Sequence, residues 1–391
     1  MQIFLACLQA QKQHAVPAYS FWEAYFKRGI EEGGHQWIEA PDADWVEVLT
    51  LTDNSERSRW RDRIWSRTLE SIRQELEHRP IDLFLSYLYP EMIDSSAVRE
   101  IRRLGIPCVN FFCDNVREFR KVPQQYHCFD LHWVPEVQAL SMYAAAGLSH
   151  LHLPMPCWIP RTRRTPQHIE KHGPTFVGSY DPLRQHLLAR AIELGATITI
   201  RGPGWQRDAS VPPRPPAERG LPRLLANQIR YIRRQGVRGW LLKFEPYFRP
   251  LRVPEIPSGC FAPKVFGDAY MTVTQQSSVI LGINRVHTYR NSLHKPVKYS
   301  RLRDIEAPMM GACYLTEYTP DLESFYELGH DIETYDSPEE LADKIAILLA
   351  DPERRQNLRR AGQNRALGEL SVRESLTKIN RALALVPKSS S

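Results

Sequence analysis

The side chains best suited to chemistry lie close together in one segment, between Lys298 and Gly311. Arg301, Arg303 and Glu306 stand in this segment, a few residues before the glycine. A short apolar run follows the glycine and predicts a buried strand, and helices with good capping residues come after it. A charged segment that ends at a glycine and leads into a strand and helices is typical of a ligand crevice in an α/β protein.

Short apolar runs alternate with amphipathic stretches along the rest of the chain. Each run predicts a strand and each stretch a helix, and this alternation is typical of parallel α/β sheets. The first helix, for example, is predicted from Tyr19 to Ile30, with its end near Gly29. The predicted strands span residues 1–8, 81–88, 106–113, 131–134, 174–178, 196–200, 279–283 and 312–315.

The chain has 391 residues, too many for one ordinary core, so we expect two domains. A proline-rich stretch without periodicity predicts a linker between them. The predicted organisation is an N-terminal domain at 1–155, a linker at 156–172, a C-terminal domain at 173–367 with a basic insert at 211–262, and a C-terminal helix and tail at 368–391.

The composition is ordinary for a soluble globular protein, with 42% hydrophobic and 25% charged residues. The apolar run Ile3–Leu8 lacks a basic flank and is too short to span a bilayer, so we expect a cytoplasmic protein. The seven cysteines show no CxxC pair, which favours reduced thiols and argues against a zinc site. No Asp-x-Asp pair is placed to hold a metal ion, so none is predicted.

The positive charge is concentrated in one part of the chain. Residues 214–252 contain ten basic and two acidic residues, a local charge of +8, which leaves about −2 elsewhere from the total of +6. Binding of nucleic acid by the whole chain is therefore not predicted. The segment 218–246 is both basic and aromatic, which favours either contact with an anionic membrane at its inner face or an inserted helical hairpin. The hairpin is preferred, with Trp240 and Phe244 in its core.

Two α/β units of similar size, with the ligand signals in the second, resemble glycosyltransferases of the GT-B fold. Phe176-Val-Gly178-Ser179 resembles the strand and turn that open the donor half in this group, and Glu306-Ala-Pro-Met-Met-Gly311 resembles its E-A-x-x-x-G element. Among glycosyl transferases of group 1, the CgeB-like branch is the most similar. It has comparable features at Gly178, at Leu281-Gly-Ile-Asn284 and at Asp114. The resemblance covers the second half of the chain by pattern and the first half by architecture.

The resemblance implies two Rossmann-like domains whose parallel sheets face a central cleft. It implies a cytoplasmic enzyme of cell-surface glycan biosynthesis that moves a sugar from a nucleoside-diphosphate sugar to an acceptor hydroxyl, without metal or cofactor. The acceptor would be a glycan, a lipid-linked molecule or a protein. Lys298 stands where retaining members carry a second glutamate. Two alternatives stay open: a catalytically silent sugar- or nucleotide-binding protein of the same fold, and a membrane adaptor that acts through the basic insert.

The resemblance also implies roles for single residues. Glu306 would accept hydrogen bonds from the ribose, although a glutamate in a first helical turn is also favoured by the helix dipole. Arg301, Arg303 and Lys298 would neutralise the diphosphate. The alternative for these arginines is a surface pairing with Asp304.

The remaining candidates follow predicted strands. Glycine lets backbone N–H groups approach an oxyanion closely, as expected at Gly178 with Ser179. Asp114 is the candidate general base, with an Asx turn at Asn115 as the alternative and His14 as a weaker rival. The other predicted nucleotide-binding residues are Arg184 near a helix start, Asn284 and His287 after a strand, and Gly311.

Overall fold

A computed structural model describes residues 1–10, 20–165, 169–206, 241–242, 244–251, 253–288 and 290–385. The chain divides into two units. One comprises Met1–Pro160 together with the segment that begins at Arg365, and the other comprises Arg161–Asn364. Each unit contains a six-stranded sheet in which all paired strands run parallel, so the predicted α/β class is confirmed.

In the first unit, the strands lie in the order β2-β1-β3-β4-β5-β6. Two short edge strands were not predicted, β2 and β6, because their residues are half-exposed and lack an apolar run. The strands are β1 Gln2–Ala6, β2 Gln36–Ile38, β3 Leu83–Tyr87, β4 Cys108–Phe111, β5 Leu131–Val134 and β6 His150–His152. The helices are α1 Ser20–Glu32, α2 Asn54–Leu76, α3 Ser95–Arg103, α4 Asn115–Glu118 and α5 Val137–Ala145.

The predicted end of the first helix near Gly29 is wrong, because α1 continues to Glu32. Gly29 lies inside the helix, where it allows close packing of another helix. A Cβ atom built on it would lie 2.5 Å from the Cβ of Val372, at the start of the C-terminal helix Val372–Leu385. The glycine therefore allows this last helix to pack directly on α1.

A row of polar side chains crosses the first sheet. Asn110, His132 and His150 are register partners on β4, β5 and β6. His132 is buried against the rings of Tyr126 and Tyr143. Burial, with smaller contributions from the charges of His150 and His127, lowers the pKa of His132 to about 3. The folded protein therefore keeps this imidazole neutral in mild acid.

This histidine should make the first unit sensitive to acid. The unfolded chain binds a proton near the usual pKa of about 6.5 and the folded chain does not, so stability falls as pH drops below that value. We expect a loss of about 2 kcal/mol in the free energy of unfolding between pH 7 and pH 5 from this group. Urea titrations at both pH values should show that His132→Phe removes this difference.

The exposed His78 of the first unit offers a matched control. His78→Phe should leave the pH dependence of the urea midpoint as in the wild type. A His132→Phe protein that loses as much stability as the wild type between the two pH values would contradict the assignment.

The second sheet has the strand order β14-β13-β10-β7-β8-β9. Its strands are β7 Thr175–Val177, β8 Thr199–Arg201, β9 Phe261–Ala262, β10 Ile280–Gly282, β13 Tyr314–Glu317 and β14 Glu333–Tyr335, and an antiparallel hairpin joins β11 Arg285–Val286 to β12 Val297–Lys298. The helices are α6 Pro182–Glu193, α7 Glu245–Phe248, α8 Gly267–Gln276, α9 Arg303–Met309, α10 Pro320–Phe325, α11 Pro338–Ala350, α12 Pro352–Glu369 and, completing the chain, α13 Val372–Leu385.

Further predicted boundaries differ from the structure. The sequence pattern predicts the second helix from Trp60 to Glu77. Helix α2 begins six residues earlier, at Asn54, because the Asp53 carboxylate caps it by accepting hydrogen bonds from the N–H groups of Ser55 and Glu56. The predicted insert ends two residues too late, since Phe261–Ala262 form β9 beside β8. Among the described residues, no helix combines the length and apolar character needed to cross a bilayer.

Candidate functional site

The strand order of the second sheet indicates where a ligand would bind. From β7 the chain moves outward to β8 and β9, then returns to β10 on the other side and continues to β13 and β14. In open parallel sheets, ligands bind outside the carboxyl ends of the strands where the order reverses. Here that point lies between β7 and β10. Gly178 and Ser179 directly follow β7, and Asn284 follows β10.

Two loops meet beside this point, and their glycines make the approach possible. A Cβ atom on Gly202 would lie 2.1 Å from the carbonyl oxygen of Gly178, and Gly202 has a φ of +150°. Trp205 donates from its indole nitrogen to the same carbonyl at 2.7 Å. The loop after β8 therefore fixes the Gly178 loop in place.

Arginine side chains converge on Phe176 and the Gly178 loop. The guanidinium groups of Arg184 and Arg303 lie 5.9 and 5.8 Å from the centre of the Phe176 ring. Arg184 donates to the carbonyl oxygen of Ser179 at 3.0 Å and to its hydroxyl at 3.2 Å. Arg301 lies against Tyr299 and donates to that hydroxyl at 2.8 Å. Three predicted phosphate ligands thus lie in one region of the second unit.

The charges of these arginines affect one another. Burial, together with the positive charges of Arg303 and Arg301, lowers the pKa of Arg184 to about 10, so its guanidinium remains protonated at neutral pH. The Nε atom of Arg303 is buried and has no hydrogen-bond partner among the described residues. Guanidinium groups that lie close together repel one another, and an anion between them relieves this repulsion. It also accepts hydrogen bonds from N–H groups that have no acceptor in the protein.

Glu306 is joined to this region through Tyr270. The Tyr270 hydroxyl donates to Oε2 of Glu306 at 2.5 Å, and the Arg303 guanidinium lies 5.8 Å from the Tyr270 ring. Burial and the charge of Glu306 raise the pKa of Tyr270, which keeps this hydroxyl a donor. Glu306 stands in the first turn of α9. Sequence reasoning missed Tyr270, because a single tyrosine within the helix that the pattern predicts at 265–275 carries no signal of its own.

A second charged group surrounds the fully buried Glu317, at the end of β13. Its carboxylate accepts from Arg285 at 2.7 Å and lies 3.0 Å from Nζ of Lys298. Lys298 also lies 2.6 Å from a carboxylate oxygen of Asp336. Asn284 is buried and donates from its side chain to the carbonyl of Glu317 at 2.8 Å. These contacts attach the β11–β12 hairpin to the sheet, a structural role for two predicted ligands, Lys298 and Asn284.

The alternative in which the arginines form a surface pair with Asp304 is wrong, because Asp304 is completely buried. Its carboxylate accepts from the hydroxyls of Tyr314 at 2.7 Å and Thr316 at 2.9 Å, and from the backbone N–H of Arg301 at 2.8 Å. Burial raises the pKa of Asp304. This aspartate holds the start of α9 against β13 and so orients the arginine region.

Gly311 ends α9 with a φ of +72°, a backbone conformation that favours glycine. Asp114, in the first unit, also has a positive φ, of +65°, between β4 and α4. The next side chain, Asn115, is buried and donates to the carbonyl of Phe112 at 2.7 Å.

Among the described residues, no cluster of three or more potential ligands could hold a metal ion. His287 is half-buried, and His14 lies outside the described residues.

The two parallel sheets and their connections define the GT-B fold, as predicted. The chain is similar to sucrose-phosphate synthase from Thermosynechococcus elongatus, with a TM-score of 0.56, 12% identity, and coverage of 98% of this chain and 99% of that one. It is similar to Anabaena HepE in complex with UDP-glucose, with a TM-score of 0.58, 10% identity, and coverage of 98% and 99%. AviGT4, a glycosyltransferase of avilamycin A biosynthesis, gives a TM-score of 0.53, 13% identity, and coverage of 98% and 97%. Identities this low show the fold alone.

A family comparison agrees with the fold. The model of a family described as glycosyl transferase-like matches residues 247–381, which include Tyr270, Arg303, Glu306 and Gly311. No curated protein matches the sequence. The closer resemblance to the CgeB-like branch stays a prediction.

Proposed function

We propose that the protein is a glycosyltransferase that moves a sugar from a nucleoside-diphosphate sugar to an acceptor hydroxyl. One observation carries the proposal: the guanidinium groups of Arg184, Arg301 and Arg303 gather beside the Gly178 loop, and Tyr270 connects them to Glu306. A diphosphate attached to a ribose has the complementary chemistry, two phosphates for the arginines and a diol for the carboxylate. HepE, which shares the fold, binds UDP-glucose.

In the proposed reaction, the acceptor oxygen forms a bond to the anomeric carbon of the sugar. The bond from that carbon to the diphosphate breaks, and the diphosphate leaves with the bonding electrons. The arginines stabilise the charge that develops on the leaving group, the part a metal ion plays in other transferases. Asp114 remains the proposed general base for the acceptor proton. The acceptor is a glycan, a lipid-linked molecule or a protein, and the cytoplasmic location is likewise a prediction.

The alternative of a silent binding protein retains one supporting observation. Lys298, at the position where retaining relatives are expected to carry a glutamate, forms ion pairs with Glu317 and Asp336. A donor that binds and is neither transferred nor hydrolysed would favour this alternative.

The first experiment is a thermal-shift panel with UDP, GDP, TDP and CMP, because a ligand that binds only the folded state raises the melting temperature. With the preferred nucleotide, we expect Glu306→Ala to weaken binding by about 1–3 kcal/mol, the scale for losing a hydrogen-bond partner in a charged interaction. Calorimetric titration of the folded variant measures the change.

Glu339→Ala is the matched control, since Glu339 is an exposed glutamate in the first turn of α11, as Glu306 is in the first turn of α9. The control should bind the nucleotide as the wild type does. If wild type and folded Glu306→Ala bind the nucleotide equally well, Glu306 does not contact the ribose. Its role would then be to stabilise the start of α9 through the helix dipole.

A further inference from the structure

Four large apolar side chains are exposed in one short stretch of the second unit. Leu241 is 57% exposed, Phe244 37%, Tyr247 82% and Phe248 87%. The prediction that Phe244 belongs to a core is therefore wrong. We call these four residues the aromatic ridge. Side chains of this size at such exposure are unusual in a folded protein, and their clustering indicates a surface that contacts something else.

The aromatic ridge has a defined backbone. The N–H of Phe244 donates to the carbonyl of Leu241 at 3.0 Å, the N–H of Tyr247 donates to that of Phe244 at 3.0 Å, and helix α7 follows. Phe244 directly precedes helix α7, and Tyr247 and Phe248 lie within it.

Charge indicates what the ridge contacts. Glu245 is the only acidic residue among the described positions of 241–251. Its carboxylate is turned to a neighbouring loop, where it accepts hydrogen bonds from the hydroxyl of Ser292 and, at 2.9 Å, from the N–H of Leu293. Arg249 is exposed next to the ridge. Lys295 is exposed two residues beyond Leu293. Together with Glu245, these two basic residues give this part of the described surface a net charge of +1.

We propose that the aromatic ridge docks on the surface of an anionic lipid bilayer. Aromatic rings with an apolar body and a polar edge settle at the depth of the lipid headgroups, and apolar side chains beside them enter the acyl boundary. Arg249 and Lys295 lie where they attract lipid phosphates, and each basic residue near such a surface strengthens binding. This inference does not depend on the proposed catalytic function.

A protein partner fits the surface less well. A stable protein–protein interface buries about 800 Å² on each side and takes some 20–30 residues. The ridge consists of four side chains flanked by like charges, so a second copy of this positive surface would be repelled. Binding to a membrane requires no minimum contact area, and anionic lipids carry the charge opposite to that of Arg249 and Lys295.

The test is sedimentation of the full chain with vesicles of phosphatidylcholine alone and of phosphatidylcholine mixed with phosphatidylglycerol. The wild type should bind the anionic vesicles, and added salt should weaken this binding. Tyr247→Ser with Phe248→Ser should lower the partition coefficient by about tenfold or more, because binding scales with the apolar area inserted. Ile347→Ser with Leu349→Ser is the matched control, since both residues are exposed on α11. It should leave vesicle binding unchanged.

Three results would overturn the proposal. The wild type fails to bind anionic vesicles, or the ridge variant binds them as tightly as the wild type, in which case charge elsewhere in the chain is responsible. In the third, light scattering shows that the ridge substitutions dissociate an oligomer while vesicle binding is unchanged. The aromatic ridge would then bind a second copy of the chain. Urea midpoints that match the wild type in both double variants show that the substitutions leave the protein folded.

Discussion

Replacing Arg303 with methionine should weaken the binding of a nucleoside diphosphate by about 10- to 150-fold, because a hydrogen bond to a charged group contributes about 1.5–3 kcal/mol. The Arg303 guanidinium lies 5.8 Å from the centre of the Phe176 ring and 5.8 Å from that of Tyr270, and its charge acts on Arg184. Methionine keeps an unbranched apolar stem near the rings and removes the charge. Calorimetric titration with the diphosphate and with the corresponding nucleoside measures the effect. The substitution should weaken binding of the diphosphate and leave binding of the nucleoside unchanged.

The same helix that carries Arg184 provides the control. Arg190 on α6 is exposed and pairs with Glu193 at 2.6 Å. Arg190→Met should leave diphosphate affinity unchanged, whereas Arg184→Met should lower it. Arg303→Lys should fall between wild type and Arg303→Met, since lysine keeps the charge and loses the paired donors. If Arg303→Met weakens the nucleoside as much as the diphosphate, the arginine does not bind phosphate.

The largest effect on stability is expected at Arg359. This side chain is completely buried and donates to the carbonyl oxygens of Gln275 at 3.1 Å, Gly311 at 3.1 Å and Ser277 at 2.5 Å. It also lies 3.3 Å from the Glu170 carboxylate. Arg359→Met should lower the free energy of unfolding by about 3–5 kcal/mol, because it leaves several buried carbonyl oxygens without this donor, each at a cost of about 1–3 kcal/mol.

Arg360 is the neighbouring residue on α12 and is exposed, with a hydrogen bond to Asn357 at 2.7 Å. Arg360→Met should change stability by less than about 0.5 kcal/mol. Urea denaturation of both variants distinguishes the two positions. Similar midpoints for Arg359→Met and Arg360→Met would show that the carbonyls around Arg359 find other donors or water.

The central strands could be predicted from the sequence because they are buried on both faces, and continuous apolar runs such as 3–8 carry that information. The edge strands Gln36–Ile38 and His150–His152 were missed, since half-exposed residues show no such run. The end of α1 was misplaced for a different reason. Gly29 has the local signature of a helix stop, yet its function is set by Val372, more than 300 residues later in the sequence.

The charged residues of the site could be found from the sequence, because it shows their type and their spacing fits a crevice. The residues that they contact could not be predicted in this way. Lys298 was expected to meet a phosphate, and its contacts with Glu317 and Asp336 depend on the register of β12, β13 and β14. Tyr270 stands 36 residues before Glu306, on another helix. A sequence pattern records neighbours along the chain, whereas these contacts are formed across the sheet.

The contact between Gly29 and Val372 has a consequence for synthesis on the ribosome. The first unit begins at residue 1, yet its helix α1 packs on α13, which ends at residue 385. Domains usually fold in the order in which they emerge. Here the second unit emerges whole while the first still lacks its last helix, so the unit whose translation starts earlier is the one that completes its fold later.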